Sequence, residues 1–201
     1  MRLYAYRVPP LDNGVYVIAD SAGDAIVIDP SFGEREVLEA VRANSLRVVE
    51  ILNTHGHPDH VHADAPVKAA TRARLAIHRL DAYRLAAERP PVAADRLLDE
   101  GDETRLADLH LVVLHTPGHT EGSVCFHLPE ERALFSGDTL FNAGLGRTDL
   151  PGGDPRALVA SLHRLMALPN DTAVYPGHGP RTSIKAERGW IEPLTAEGLL
   201  A

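Results

Sequence analysis

The sequence predicts an α/β fold, and three observations predict it. Short β-type apolar runs alternate with segments of helical period along the chain. Polar residues cluster where the predicted strands stop. The length of 201 residues with 44% hydrophobic content suits one substantial core, so residues 1–201 are expected to form a single domain.

The first elements are strands: RLYAYRV, GVYVIAD and DAIVIDP, separated by turn residues at Asp12-Asn13-Gly14 and Gly23-Asp24, which is an antiparallel opening. Residues 34–43 place Val37, Leu38 and Val41 at helical spacing, and RVVEIL (47–52) is a strand that ends where THGHPDH begins. A helix over about 61–72, the strand RLAIH and a helix near 79–88 follow. The Pro-rich stretch RPPVAADRLLDEGD then interrupts the pattern and reads as a crossing loop. In the second half LHLVVLHTP, SVCFHLP and RALFSGD read as strands, DPRALVASLHRLMAL as a helix and TAVYPGH as a strand.

Composition narrows the function classes. Twenty Lys and Arg against 28 Asp and Glu leave a net charge of -8, which argues against nucleic acid as a main partner. MRLYAYRVPPLDNG lacks an apolar stretch after its early Arg, and no run elsewhere approaches the ~18 apolar residues of a spanning helix. The expectation is a soluble, cytoplasmic protein with no membrane partner. Cys125 is the sole cysteine, so a metal site has to be built from His and carboxylate.

Eleven His remain to be explained. In Thr54-His55-Gly56-His57-Pro58-Asp59-His60, four candidate ligands fall within six residues directly after an apolar strand. His55 and His57, two apart, point to one side of an extended backbone and can share an ion, while the turn at Pro58 can aim Asp59 and His60 at a second. Three further strand ends present one donor each: His119 in TPGHT, Asp138 in FSGDT and His178 in YPGHG. A carboxylate such as Asp138 has two oxygens and can bridge two cations. His78, His110, His115, His127 and His163, in or beside strands and helices, are read as packed or exposed histidines, His62 as an exposed first-turn residue, and Cys125 as a small buried hydrophobe. Thr54, Asp29 and Thr139 are the candidate oxygen partners for the outer N–H groups of metal-bound imidazoles.

The HxHxDH core, TPGHT, SGD and PGHG, in this order, resemble the metallo-β-lactamase superfamily, and more narrowly its glyoxalase II-like (hydroxyacylglutathione hydrolase-like) members, over nearly the whole chain. The resemblance implies a four-layer αββα sandwich with the site on loops along one edge. It also implies that His55, His57 and His119 bind a first metal ion, that Asp59, His60 and His178 bind a second, and that Asp138 bridges them. Two divalent ions are expected; zinc suits the ligands, and iron or manganese suits them nearly as well.

The expected reaction is hydrolysis of a small acyl-thiol such as S-lactoylglutathione, in which a bridging hydroxide attacks the carbonyl, Asp59 orients it and Asp138 holds both ions. A thiolate leaves without a strong acid, which makes thioesters the least demanding substrates. Arg147, in a GLGRTD stretch similar to the family's GCGR, and Arg181 and Lys185 after PGHG are candidate contacts for an anionic substrate group. Full-length glyoxalase II enzymes carry a C-terminal helical extension that contributes to glutathione binding, whereas this chain ends about twenty residues after PGHG. The alternative is a mononuclear iron persulfide dioxygenase, which resembles the same motif set and would use His55, His119 and Asp138. Gly177 before His178, where dioxygenases tend to have Ala, and Leu145, where Cys is common, favour the hydrolase.

Overall fold

In the computed structural model, which describes residues 1–200, two six-stranded sheets face each other with helices outside both. The first sheet takes, in spatial order, β1 (Arg2–Val8), β2 (Asn13–Ala19), β3 (Asp24–Ile28), β4 (Arg47–Leu52), β5 (Arg74–His78) and β6 (Arg96–Leu98). Its first three strands are antiparallel and joined by short turns. From β3 to β6 the pairing is parallel, which requires crossover connections. These are α1 (Glu34–Ala43), then α2 (Pro58–Val61) with α3 (Asp64–Thr71), then a 3-10 turn over Ala82–Ala87.

The second sheet runs β14 (Thr182–Ser183), β13 (Ala173–Pro176), β10 (Ala133–Gly137), β9 (Val124–Leu128), β8 (His110–His115) and β7 (Glu103–Arg105) in spatial order. β10 and β13 are parallel neighbours. Between them lie the hairpin of β11 (Leu140–Phe141) and β12 (Gly144–Leu145) and the helix α4 (Pro155–Leu165). Asp154 caps α4, its carboxylate accepting from the Arg156 and Ala157 amides, and Pro155 occupies the first turn where its missing N–H costs nothing. α5 (Ile184–Ile191) and α6 (Ala196–Leu200) follow.

The layering follows from side-chain alternation. Val15, Val17, Ala25 and Val27 pack outward against Val37 and Val67 of α1 and α3. Their neighbours Tyr16, Ile18, Ile26 and Ile28 pack inward against Leu111, Val113, Phe126 and Phe135 of the second sheet. On its far side, Cys125, Leu134 and Val174 meet Leu158, Leu162, Ile184 and Ile191 of α4 and α5. Three apolar seams therefore separate four layers, and the expected αββα sandwich is observed. Cys125 is a buried apolar contributor, as read.

Three expectations are corrected. The helix expected over about 61–72 begins only at Asp64 and runs to Thr71, and a separate short helix, with Pro58 in its first position, precedes it. The 79–88 helix is a 3-10 turn. The Pro-rich crossing contributes β6 and leads into β7, one edge strand to each sheet, pinned where the Thr104 hydroxyl donates to the fully buried Glu50 carboxylate (2.7 Å).

Phe135 lies in the central seam, 5.0 Å from the Tyr16 ring and 5.1 Å from that of Tyr175. Replacing it with Ala opens a cavity between the sheets, and chemical denaturation of Phe135→Ala is expected to show a loss of about 3–5 kcal/mol.

Candidate metal centre

Every predicted ligand projects from one edge of the sandwich, where β4, β8, β10 and β13 end and their following loops begin. His55 and His57 lie on the extended segment after β4, and Asp59 and His60 on α2, so Pro58 marks the change of direction. His119 follows β8, Asp138 follows β10, and His178 follows β13. Two glycines let the segments approach. A Cβ on Gly177 would lie 2.1 Å from Asp138 Oδ1, and one on Gly137, at φ +48°, would lie 2.4 Å from Thr54 Oγ1.

Six of the predicted ligands form two triads, His55 with His57 and His119, and Asp59 with His60 and His178, and a third group joins Asp29 to His55 and His60. In the first, His57 Nδ1 faces His119 Nε2 at 2.8 Å. In the second, His60 Nε2 lies 3.2 Å from His178 Nε2 and 3.5 Å from Asp59 Oδ2. Asp138 lies between, Oδ2 3.5 Å from His119 Nε2 and 3.4 Å from His178 Nε2, and Oδ1 3.3 Å from His60 Nε2. The first triad is buried, whereas the side chains of Asp59 and His178 are each 23% exposed, so the cluster opens to solvent on the second side.

The outer nitrogens of four rings fix which lone pairs face inward. His119 Nδ1 donates to the Arg147 carbonyl (2.7 Å), His178 Nδ1 to the Leu11 carbonyl (2.8 Å), and His60 Nδ1 to Asp29 (2.9 Å). Thr54 Oγ1 donates to Asp29 and so accepts from His55 Nδ1 at 3.1 Å. In the neutral rings each inner Nε2 is then a bare acceptor. Acceptors confront acceptors at hydrogen-bond distance, and His55 Nε2 and Asp138 Oδ1 are buried without any partner. Such an arrangement is unfavourable unless a cation occupies it, so these residues fit a metal site.

The electrostatics agree. Burial holds His55 well below the usual imidazole range and pushes His57 down to about 4, keeping both neutral and ready to ligate. Burial opposes charge on His60 and His178 too, but Asp138 with Asp29 raises the first well above its ordinary value, and Asp138 with Asp59 raises the second to about 10. Burial would raise both carboxyls, but His60 and His178 hold Asp138 well below its usual range, and His178, His60 and Asn13 do the same for Asp59. Protons here balance the carboxylates as a metal cation would.

The cluster unites all seven predicted ligands. Thr54 and Asp29 support ligands as expected; Thr139 does not, its hydroxyl pairing with that of Thr116 (2.9 Å). His62 is exposed beside Phe32. Arg147 holds His119 through its carbonyl while its exposed guanidinium pairs with Asp149. Arg181 is exposed three residues beyond His178. Lys185 is not brought to the cluster: its amide bonds the Asn170 carbonyl before β13, at the opposite end of that strand from His178.

Sequence reasoning missed Asp81. This fully buried carboxylate accepts from the Gly56 amide (2.7 Å), the Thr120 hydroxyl (2.8 Å) and the Gly122 amide (3.0 Å), tying the loop of His55 and His57 to that of His119. Its signal was present, an acidic residue just past a parallel strand's end, on the edge where the other functional residues gather.

An αββα sandwich with an imidazole and carboxylate cluster on one edge defines a class of metal-binding enzymes. The chain belongs to the metallo-beta-lactamase superfamily, whose model matches residues 9–178. An uncharacterized protein of Aquifex aeolicus is 37% identical, the match covering 94% of this chain and 95% of that protein. A hydroxyacylglutathione hydrolase of Fuscovulum blasticum is 38% identical over 89% of this chain, which spans 67% of that enzyme's length. Among solved structures, BLEG-1 B3 metallo-beta-lactamase superposes with a TM-score of 0.87 at 32% identity, covering 94% of this chain and 97% of its own. ETHE1 from Myxococcus xanthus gives 0.86 at 31%, covering 98% and 88%. TTHA1623 in a di-iron-bound form gives 0.79 at 39%, covering 92% and 96%.

Asp81→Ala strands two buried backbone amides, and denaturation is expected to show a loss of at least about 3 kcal/mol. Gly177→Ala drives a methyl group into the Asp138 carboxylate, and elemental analysis is expected to show metal content falling well below that of the wild type while circular dichroism is retained.

Proposed function

We propose that the protein is a metal-dependent hydrolase that holds two divalent ions and cleaves small acyl-thiol substrates, glutathione thioesters among them. The observation that carries this reading is the place of Asp138, one oxygen of which lies within 3.5 Å of a nitrogen of each triad. His55, His57 and His119 would hold one ion, Asp59, His60 and His178 the other, and Asp138 both. Bound divalent ions polarise a carbonyl, make water nucleophilic near neutral pH and stabilise a departing thiolate.

The chain's own residues do the positioning. The buried first triad excludes bulk water from one side of the site, and substrate enters past Asp59 and His178. Asp59 accepts a hydrogen bond from the attacking water and so orients it. A thiol with an ordinary pKa near ~8.5 leaves as the anion, so the reaction needs no strong acid at the leaving group. Arg181 and the exposed guanidinium of Arg147 meet the anionic arm of a substrate such as S-lactoylglutathione. The hydroxyacylglutathione hydrolases among the relatives and the di-iron form of TTHA1623 support the reading; zinc, iron and manganese all suit the ligands. The chain spans about two thirds of the length of those hydrolases.

Metal analysis paired with two assays tests the proposal. Two metal ions per chain and thiol release from S-lactoylglutathione are expected, with both lost on chelation and restored by metal. Asp138→Ala should lower thiol release by more than about 100-fold, beyond the usual effect of outer partners of ligands. A single iron with oxygen uptake on glutathione persulfide would overturn the hydrolase in favour of a dioxygenase. Arg181→Ala is expected to raise KM for S-lactoylglutathione while kcat stays near the wild-type value.

A further inference from the structure

The sequence reads Asp12-Asn13-Gly14 as a turn, but the turn closes at Asp12; Asn13 and Gly14 open β2, and with Leu11 just before them they are built into the metal centre. Asn13 is fully buried, and its Nδ2 donates to the Asp59 Oδ2 (3.0 Å) and to the Asp59 carbonyl (3.1 Å). The amide cannot be reversed, because Oδ1 would then face a carboxylate oxygen. The backbone of Asn13 forms an isolated antiparallel bridge with His178, the Gly14 amide donates to the Gly177 carbonyl (2.7 Å), and the Leu11 carbonyl holds His178 Nδ1. The segment 11–14 thus grips Asp59 and His178, both from the second triad. Among the described residues its hydrogen bonds reach none of His55, His57 and His119; Thr54 meets His55, Asp81 holds the Gly56 amide between His55 and His57, and the Arg147 carbonyl holds His119.

A strand alone does not call for this residue. Asn favours surface turns and is depleted from strands, whereas here it opens β2 with its amide buried and its Oδ1 without a partner. That cost is offset by what Nδ2 does: it fixes one oxygen of a partly exposed carboxylate, and with it the rotation of the group about its terminal torsion. We propose that Asn13 is a positioning residue for the second metal ion, setting that ion's occupancy without altering the first. The proposal rests on the two-ion reading above, and its consequence is a separable site: without the amide the protein retains one ion and loses the other.

The test uses metal-stripped full-length protein titrated with Zn2+ by calorimetry, and Mn2+-loaded protein observed by electron paramagnetic resonance. Wild type is expected to take two ions and to show an exchange-coupled manganese signal. Asn13→Ala should retain one site at wild-type affinity, weaken the other by about 10–100-fold, and give the six-line signal of isolated manganese. Asn13→Asp, which keeps the side-chain volume but sets a carboxylate against Asp59, should do the same and decides the matter if Asn13→Ala does not fold. Two ions bound at wild-type affinities in the folded variant overturn the proposal, as does equal weakening of both with an intact circular dichroism spectrum. A single ion in wild type overturns the two-ion reading instead.

Discussion

Five imidazoles and two carboxylates converge at the edge of a buried seam, with acceptor atoms facing one another at 2.8 to 3.5 Å. Without positive charge between them the cluster is repulsive; with it, each contact becomes attractive. The surrounding structure is arranged around this requirement. Two sheets are brought together so that four strand ends from both deliver donors to one place, and the outer nitrogens are tied to oxygens so that the inner ones stay bare.

The ties come from distant parts of the chain, which makes the centre a joint as well as a site. Asp81 clamps the loop after β4 to the loop after β8. Asp29, past β3, holds both Thr54 and His60. Leu11 of the β1–β2 turn and Asn13 and Gly14 at the start of β2 meet the end of β13, and the Tyr16 hydroxyl donates to the Pro176 carbonyl beside it (2.7 Å). Fixing the ligands and closing the sandwich at this edge are therefore one act. The two triads are nonetheless anchored by different groups, and they differ in exposure, so they need not fill or fail together.

Much of the fold was legible because strands such as YVIAD and AIVID carry apolar residues on both faces, and the alternating seams follow from which face meets which layer. The antiparallel opening was legible from its turn residues. What escaped were elements whose order depends on context: β6 and β7, three residues each, in and just after a Pro-rich stretch, and the β11–β12 hairpin of two-residue strands. Such segments have no period long enough to read, and partner strands define them. The short helix α2 escaped because it is four residues long, starting at Pro58 and too brief to show a helical period.

Sequence alone named the candidate donors. His-x-His-x-Asp-His is a local pattern, and the isolated donors at 119, 138 and 178 each follow an apolar strand, so residue chemistry and strand ends sufficed to name them. Tertiary structure decided what holds those donors and what reaches them. Apart from the Thr54–His55 contact, these supporting bonds join residues 25 to 167 positions apart, and they use carbonyls and an asparagine read as a turn, which carry no local signature, and an aspartate whose place past a strand end was its one signal. The place of Lys185, too, was decided only by folding, because a short β13–β14 antiparallel return carries the chain back from His178 toward the start of β13.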